Sequence, residues 1–314
     1  MKRLLDAPPC PPGLPHPGGA PDLLGSPPPA LHRRILRRLH WLAVLATGLV
    51  LYTAVFAALL VTRNPVYVPA LLLIGAAVVP VTFTTFVSDL KMAAALSFSR
   101  IAAAAVLGGV VGCVLAGPLE FESARLLGHT PAPLIGLIEE TAKLAVPVLI
   151  LARRRARTTD GLVLGVAVGS GFAALETLGY AFVALLRTQG DLLSVTNLLV
   201  VRALAEPGGH AAWTGLATAA FVAIRSSRHL NLARLRFVLV FVGVVTLHAL
   251  WDSSVGGSSG YLIVGGISLG LLLLVTWRLD HTPPVTPRTR LTGGWRRGGT
   301  PSGVLPDPRI RQGR

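Results

Sequence analysis

Charge is what this chain has least of. Aspartate, glutamate, lysine and arginine make up 14% of its 314 residues, where a soluble domain carries about 25%. Hydrophobic residues reach 52% and the mean hydropathy is +0.64. Apolar runs of roughly 18 residues or more recur, and that length reads as membrane-spanning helix. A soluble fold with an oily core is thereby excluded. Cysteine is nearly as scarce: Cys10 and Cys113 supply neither a disulfide framework nor a metal cluster. No folded soluble region remains to read a nucleic acid, so the net charge of +15 reads as basic loops beside a membrane, with no nucleic-acid partner.

What is present falls into three parts. Residues 1–34 are proline-rich (PPCPPGLPHPGG) and 281–314 are rich in Pro, Gly and Arg. Both are expected to be disordered cytoplasmic tails, because neither has the apolar surface to fold. The amino-terminal stretch is not expected to be a signal peptide, since its first apolar run follows Arg33, Arg34, Arg37 and Arg38. Between the tails, 35–280 reads as an all-α polytopic bundle of about eight spans, at 39–62, 66–87, 99–118, 132–152, 161–186, 196–225, 237–255 and 259–278. The sixth is interrupted by Pro207, Gly208 and Gly209, which predicts a kinked span or a short interfacial helix before a span. With both termini in the cytoplasm of a cell-membrane protein, 24 of the 29 lysines and arginines fall on the cytoplasmic side, as the positive-inside rule asks.

Ionisable residues inside apolar segments are expensive, and by default they mark a functional site. Glu139, Glu140, Glu176, His210 and His248 all lie in such segments. At 1.5 Å per helical residue, each lies about 18–22 Å from the cytoplasmic end of its own helix. Four helices running in alternate directions thus bring these residues into one slab, displaced toward the outer face.

Spacing adds partners. Lys143 is i,i+4 from Glu139 and i,i+3 from Glu140, so it can pair with either. Adjacent carboxylates point about 100° apart; Glu140 is expected to face the chemistry and Glu139 to support it. Phe172 and Glu176 share a face, and Gly165, Gly169, Gly171 and Gly179 allow a neighbouring helix close. Asp252 stands one turn from His248, where a carboxylate can fix an imidazole's tautomer or engage the reacting group. His210 follows the helix break, beside free backbone donors. His32, His40, His129, His229 and His281 fall in loops or at membrane ends, and Trp41, Trp277 and Tyr67 fit aromatic-belt positions.

EETAK at 139–143, FAALE at 172–176, PGGHAAWTG around His210 and HALWD at 248–252 resemble the motifs of the PrsW family. These are polytopic proteins regarded as intramembrane metalloproteases, related to type II CAAX prenyl proteases and bacteriocin-processing proteins. The resemblance covers about 35–280, with its motifs in 131–255. It implies a helical-bundle protease with Glu139, Glu140, Glu176, His210 and His248 at the site. It also implies a membrane-anchored protein substrate, of the anti-sigma-factor kind, cut near the outer face. Family members commonly have Asn where this chain has Thr177, which bears on a supporting contact.

The expected reaction is metal-assisted. His210, His248 and Glu176 would hold a zinc-like ion with an open position for water. Glu140 would serve as base and then acid, while Lys143 and Asp252 tune orientation and charge. No HExxH motif signals the metal. A metal-free version therefore stands beside it, in which Glu140 activates water and His248 stabilises the oxyanion. Two other classes remain: a non-catalytic scaffold that binds transmembrane helices, and a proton-coupled transporter. No inverted repeat supports the latter.

Overall fold

The computed structural model describes residues 39–281, apart from 91–92, 94–95, 153–155 and 254–256. The expected tails lie outside the described residues, except that His281 closes the last helix. Nine α-helices occur among the described residues: α1 (His40–Thr62), α2 (Val68–Ser88), α3 (Phe98–Leu127), α4 (Ala132–Ala152), α5 (Thr158–Arg187), α6 (Leu192–Ala205), α7 (His210–Ser226), α8 (Leu230–Asp252) and α9 (Gly257–His281). None of the described residues forms a strand. The protein is a helical membrane bundle.

Six helices are long and apolar enough to cross a bilayer: α1, α2 with the 3-10 turn before it, α3, α5, α8 and α9. The exceptions have physical causes. α4 has the length, 21 residues, but carries Glu139, Glu140 and Lys143. α6 and α7 have 14 and 17 residues, because the expected sixth stretch is broken by a 3-10 turn at Glu206–Gly208. At Gly208 a side chain would strike the backbone carbonyl of Gly265 on α9, so the break is also a close packing point. The third expected span, 99–118, continues through Pro118 to Leu127. Proline is tolerated inside a transmembrane helix when neighbouring groups satisfy the freed carbonyl.

Helix ends are fixed locally. The Asp160 carboxylate accepts from the Arg157 backbone N–H at 2.9 Å and from its guanidinium at 3.1 Å, opening α5. Asp191 caps α6, accepting from the backbone N–H groups of Leu193 (3.0 Å) and Ser194 (3.3 Å). The bond from the Ser194 hydroxyl, and then these backbone bonds, hold its carboxyl below the usual aspartate range. At the far end of α7, Arg225 donates to the carbonyls of Leu151 (2.8 Å) and Ala152 (2.9 Å). Those carbonyls end α4 and have no partner within their own helix.

α5 is the central post. Every residue from Asp160 to Ser170 is buried, as a helix apolar on all sides must be. It packs against α2, α3, α4 and α7. Glycines set the approach: a Cβ at Gly171 would collide with the Ala105 carbonyl of α3, and one at Gly169 with the His210 carbonyl of α7. The outer surface is the reverse of a soluble protein's. Val61, Leu149 and Leu204 are 84%, 73% and 77% exposed, a belt suited to lipid rather than water.

Candidate active site

Five helices contribute side chains to one buried polar network. α4 supplies Glu139, Glu140 and Lys143, all buried. α5 supplies Glu176, α7 His210, and α8 His248 and Asp252; Arg202 enters from α6. In lipid such groups persist only as partners of one another, and the bonds bear this out. Lys143 Nζ lies 2.7 Å from Glu140 Oε1 and 3.2 Å from Glu139 Oε2. It donates to His210 Nδ1 at 2.7 Å and sits 4.2 Å from the centre of the Phe172 ring.

These contacts set the tautomer of His210. An ammonium has only donors, so His210 Nδ1 accepts and its Nε2–H donates to Glu176 Oε2 at 2.8 Å. At His248, Nδ1–H donates to Glu140 Oε1 at 2.9 Å. His248 Nε2 lies 3.5 Å from Glu139 Oε2 and 3.3 Å from Asp252 Oδ2. Trp213 stacks on His248 with ring centres 4.7 Å apart and meets His210 edge-on at 5.2 Å. Its indole N–H is anchored to Ser268 Oγ of α9 at 2.9 Å.

All seven residues named from the sequence therefore meet, but with different neighbours from those expected. Glu139 Oε2 faces the space between the imidazoles, 3.9 Å from His210 Nδ1. Glu139, His210 and His248 form a group whose donor atoms all lie within 4.8 Å of one another, a set able to hold a metal ion. Glu140 is enclosed instead: Oε1 serves Lys143 and His248, and Oε2 faces the Thr214 hydroxyl at 3.5 Å. Glu176 lies on the outer side of His210, bound to Arg202 Nη2 at 2.7 Å. Arg202 Nε also donates to Thr177 Oγ1 at 2.8 Å, so the threonine supports Glu176 through the guanidinium. Each imidazole thus turns one ring nitrogen inward and gives its outer N–H to a carboxylate, the usual outer support of a metal-binding histidine.

Sequence reasoning passed over four residues. Arg202 was visible as a cation inside an apolar segment. Trp213 lies within PGGHAAWTG, where an uncharged aromatic in an apolar run carries no mark of its own. Glu120 falls beyond a third span that ends at Pro118; on the longer α3 its Oε1 is buried with no hydrogen-bond partner. Glu206, in the turn before His210, is 5% exposed and neither carboxyl oxygen has a hydrogen-bond partner.

Comparison with known proteins matches this arrangement to one family. A model of the PrsW family intramembrane metalloprotease fits residues 68–278, well over half of the chain and inclusive of every site residue above. No curated protein and no solved structure gave a match. With a family match of this extent around a buried acid–imidazole network in a helical membrane bundle, the chain belongs to the PrsW family of intramembrane metalloproteases.

Proposed function

We propose that this protein cleaves a membrane-anchored protein by metal-assisted attack of water, with Glu139, His210 and His248 as the protein's donors to the ion. The observation that carries the reading is the convergence of those three donors, from α4, α7 and α8, within 4.8 Å. One carboxylate oxygen and two imidazole nitrogens suit zinc, and three protein ligands leave a position open, as catalytic zinc sites do. When bound, the ion would lower the pKa of its water and polarise the scissile carbonyl.

The remaining side chains have roles in this reading. Glu176 and Glu140 hold the outer N–H groups of His210 and His248 and leave their inner nitrogens to serve as ligands beside Glu139. Glu176 thereby becomes an orienting residue, and Glu139 takes the ligand position first given to it. Glu140, shut in by Lys143, His248 and Thr214, is a poor base. Asp252 has a side chain 25% exposed and stands beside His248 Nε2; it would take a proton from the attacking water and pass it to the nitrogen of the leaving amine as the peptide C–N bond breaks. Trp213 excludes bulk water from the imidazole pair.

The basic loops support a cell-membrane location with cytoplasmic termini, and the depth of the site residues along their helices supports a cut near the substrate's outer face. An anti-sigma-factor-like protein has the required form. The test is metal content by mass spectrometry, together with cleavage of a single-pass reporter in proteoliposomes. Wild type should carry about one zinc per chain and lose activity on chelation, with zinc restoring it. Glu139→Gln, His210→Ala and His248→Ala should lose both metal and cleavage. Full activity in a metal-stripped preparation would refute the reading.

A further inference from the structure

Lys143 does more than neutralise its neighbours. Its side chain is wholly buried, and two of its three polar partners, Glu139 and His210, belong to the donor set described above. The contest is sharpest at His210. A carboxylate oxygen has lone pairs to share, but an imidazole nitrogen has one, lying in the ring plane. His210 Nδ1 directs it at the Lys143 ammonium, 2.7 Å away. The other ring nitrogen is committed as donor to Glu176, so the lone pair cannot be moved to it without breaking that bond.

We propose that Lys143 is a tethered cation that occupies the metal's place on His210 and must withdraw before a metal can bind. The proposal rests on the assignment of His210 as a ligand. Withdrawal requires no exit from the protein, because Glu140 Oε1 is also 2.7 Å from the ammonium and remains its partner. The exchange gives the metal-free protein a stable state. Two buried acids and the inner His210 lone pair are satisfied by one ammonium, where each would otherwise carry a heavy desolvation penalty in lipid. An incoming dication then replaces the ammonium at His210 and faces a second positive charge held against Glu140. Lys143 thereby limits how tightly the site holds its ion.

The experiment measures zinc affinity of metal-stripped, full-length protein in detergent micelles, by competition with a chromophoric chelator. The variants are Lys143→Met, Lys143→Gln and His210→Ala. Losing a hydrogen bond to a charged group, and the charge behind it, should tighten zinc binding in Lys143→Met by about ten- to a hundredfold over wild type. Lys143→Gln, which keeps a polar head but no charge, should move in the same direction. It also serves if the methionine variant does not fold, judged by thermal unfolding without zinc. A purely structural lysine predicts the opposite sign, since loosening the site weakens binding. Equal or weaker zinc affinity in both lysine variants overturns the proposal while leaving the ligand assignment intact. Unchanged zinc affinity in His210→Ala overturns the assignment itself, and the proposal with it.

Discussion

Gly165 offers a direct test of how finely the helices of this site are spaced. A Cβ built at Gly165 would stand 2.5 Å from the Thr214 carbonyl oxygen and 2.8 Å from both the Thr218 Cβ and Oγ1. Real Cβ contacts do not occur below 3.0 Å and are comfortable from 3.4 Å. In Gly165→Ala, α7 must therefore retreat from α5 by about 0.5–0.9 Å. The obstacle is backbone, so no rotamer change relieves it. Thr214 lies one turn from His210 on the same helix and faces Glu140, so the retreat pulls His210 away from Glu139. Overpacking costs about 1–3 kcal/mol, against a gain of about 1 kcal/mol for replacing glycine within a helix. The variant should fold with a somewhat lower Tm. Misplacement of reacting groups by about 1 Å can cost 100-fold in rate, which sets an expected fall in kcat/KM of about 10–100-fold. Gly179, on the same helix, has nothing within 4 Å of its Cβ position. Gly179→Ala should keep full activity and gain about 0.5–1 kcal/mol. The assay is cleavage of a fluorogenic single-pass reporter in proteoliposomes, paired with thermal unfolding in detergent. Wild-type cleavage by Gly165→Ala, or an equal loss in Gly179→Ala, would refute the reasoning.

Other perturbations give distinct signatures. Arg202→Met removes the cation that holds Glu176 beside His210; metal affinity should fall about 10–100-fold while the far-ultraviolet circular dichroism stays helical, and unchanged affinity would end the claim that Glu176 orients His210. Glu206→Gln replaces a buried carboxyl group with no hydrogen-bond partner by a neutral isostere. Its Tm should equal or exceed that of wild type, because a buried polar group costs most when charged and unpaired, and a marked drop would mean that Glu206 has an ionic partner. Trp213→Phe keeps the stacking face over His248 but loses the bond to Ser268; about 1 kcal/mol of stability should go with a smaller effect on metal content than Trp213→Ala.

Much of the site was legible because lipid makes ionisable groups conspicuous. Glu139, Glu140, Glu176, His210 and His248 stand out in apolar runs, and counting residues from the helix ends puts them at one depth. Azimuth was harder to read. The 100° between Glu139 and Glu140 suggests that only one can face the centre squarely, with Glu140 the favoured one; both are engaged, because α4 packs against α3, α5, α7 and α8 and the polar network wraps around it. Ligand choice was also beyond periodicity. Whether Glu139 or Glu176 approaches the inner nitrogens depends on where Arg202 sits, and the break at Glu206–Gly208 makes α6 a separate helix that brings Arg202 to Glu176. Glu120 was missed for a local reason, since Gly117–Pro118 resembles a helix stop and the helix runs through it.

The clamp of Arg225 on the last carbonyls of α4 lies about fifteen residues along α7 from His210, roughly 22 Å away along the rod. It nevertheless sets how far one rod can slide against the other. A slip by a single residue would move His210 about 1.5 Å lengthwise past Glu139, further than the site tolerates. Chemistry at one end of α7 is thus calibrated by a guanidinium at the other, and damage to that distant fastening should be mistaken, in a functional screen, for damage to the catalytic groups themselves.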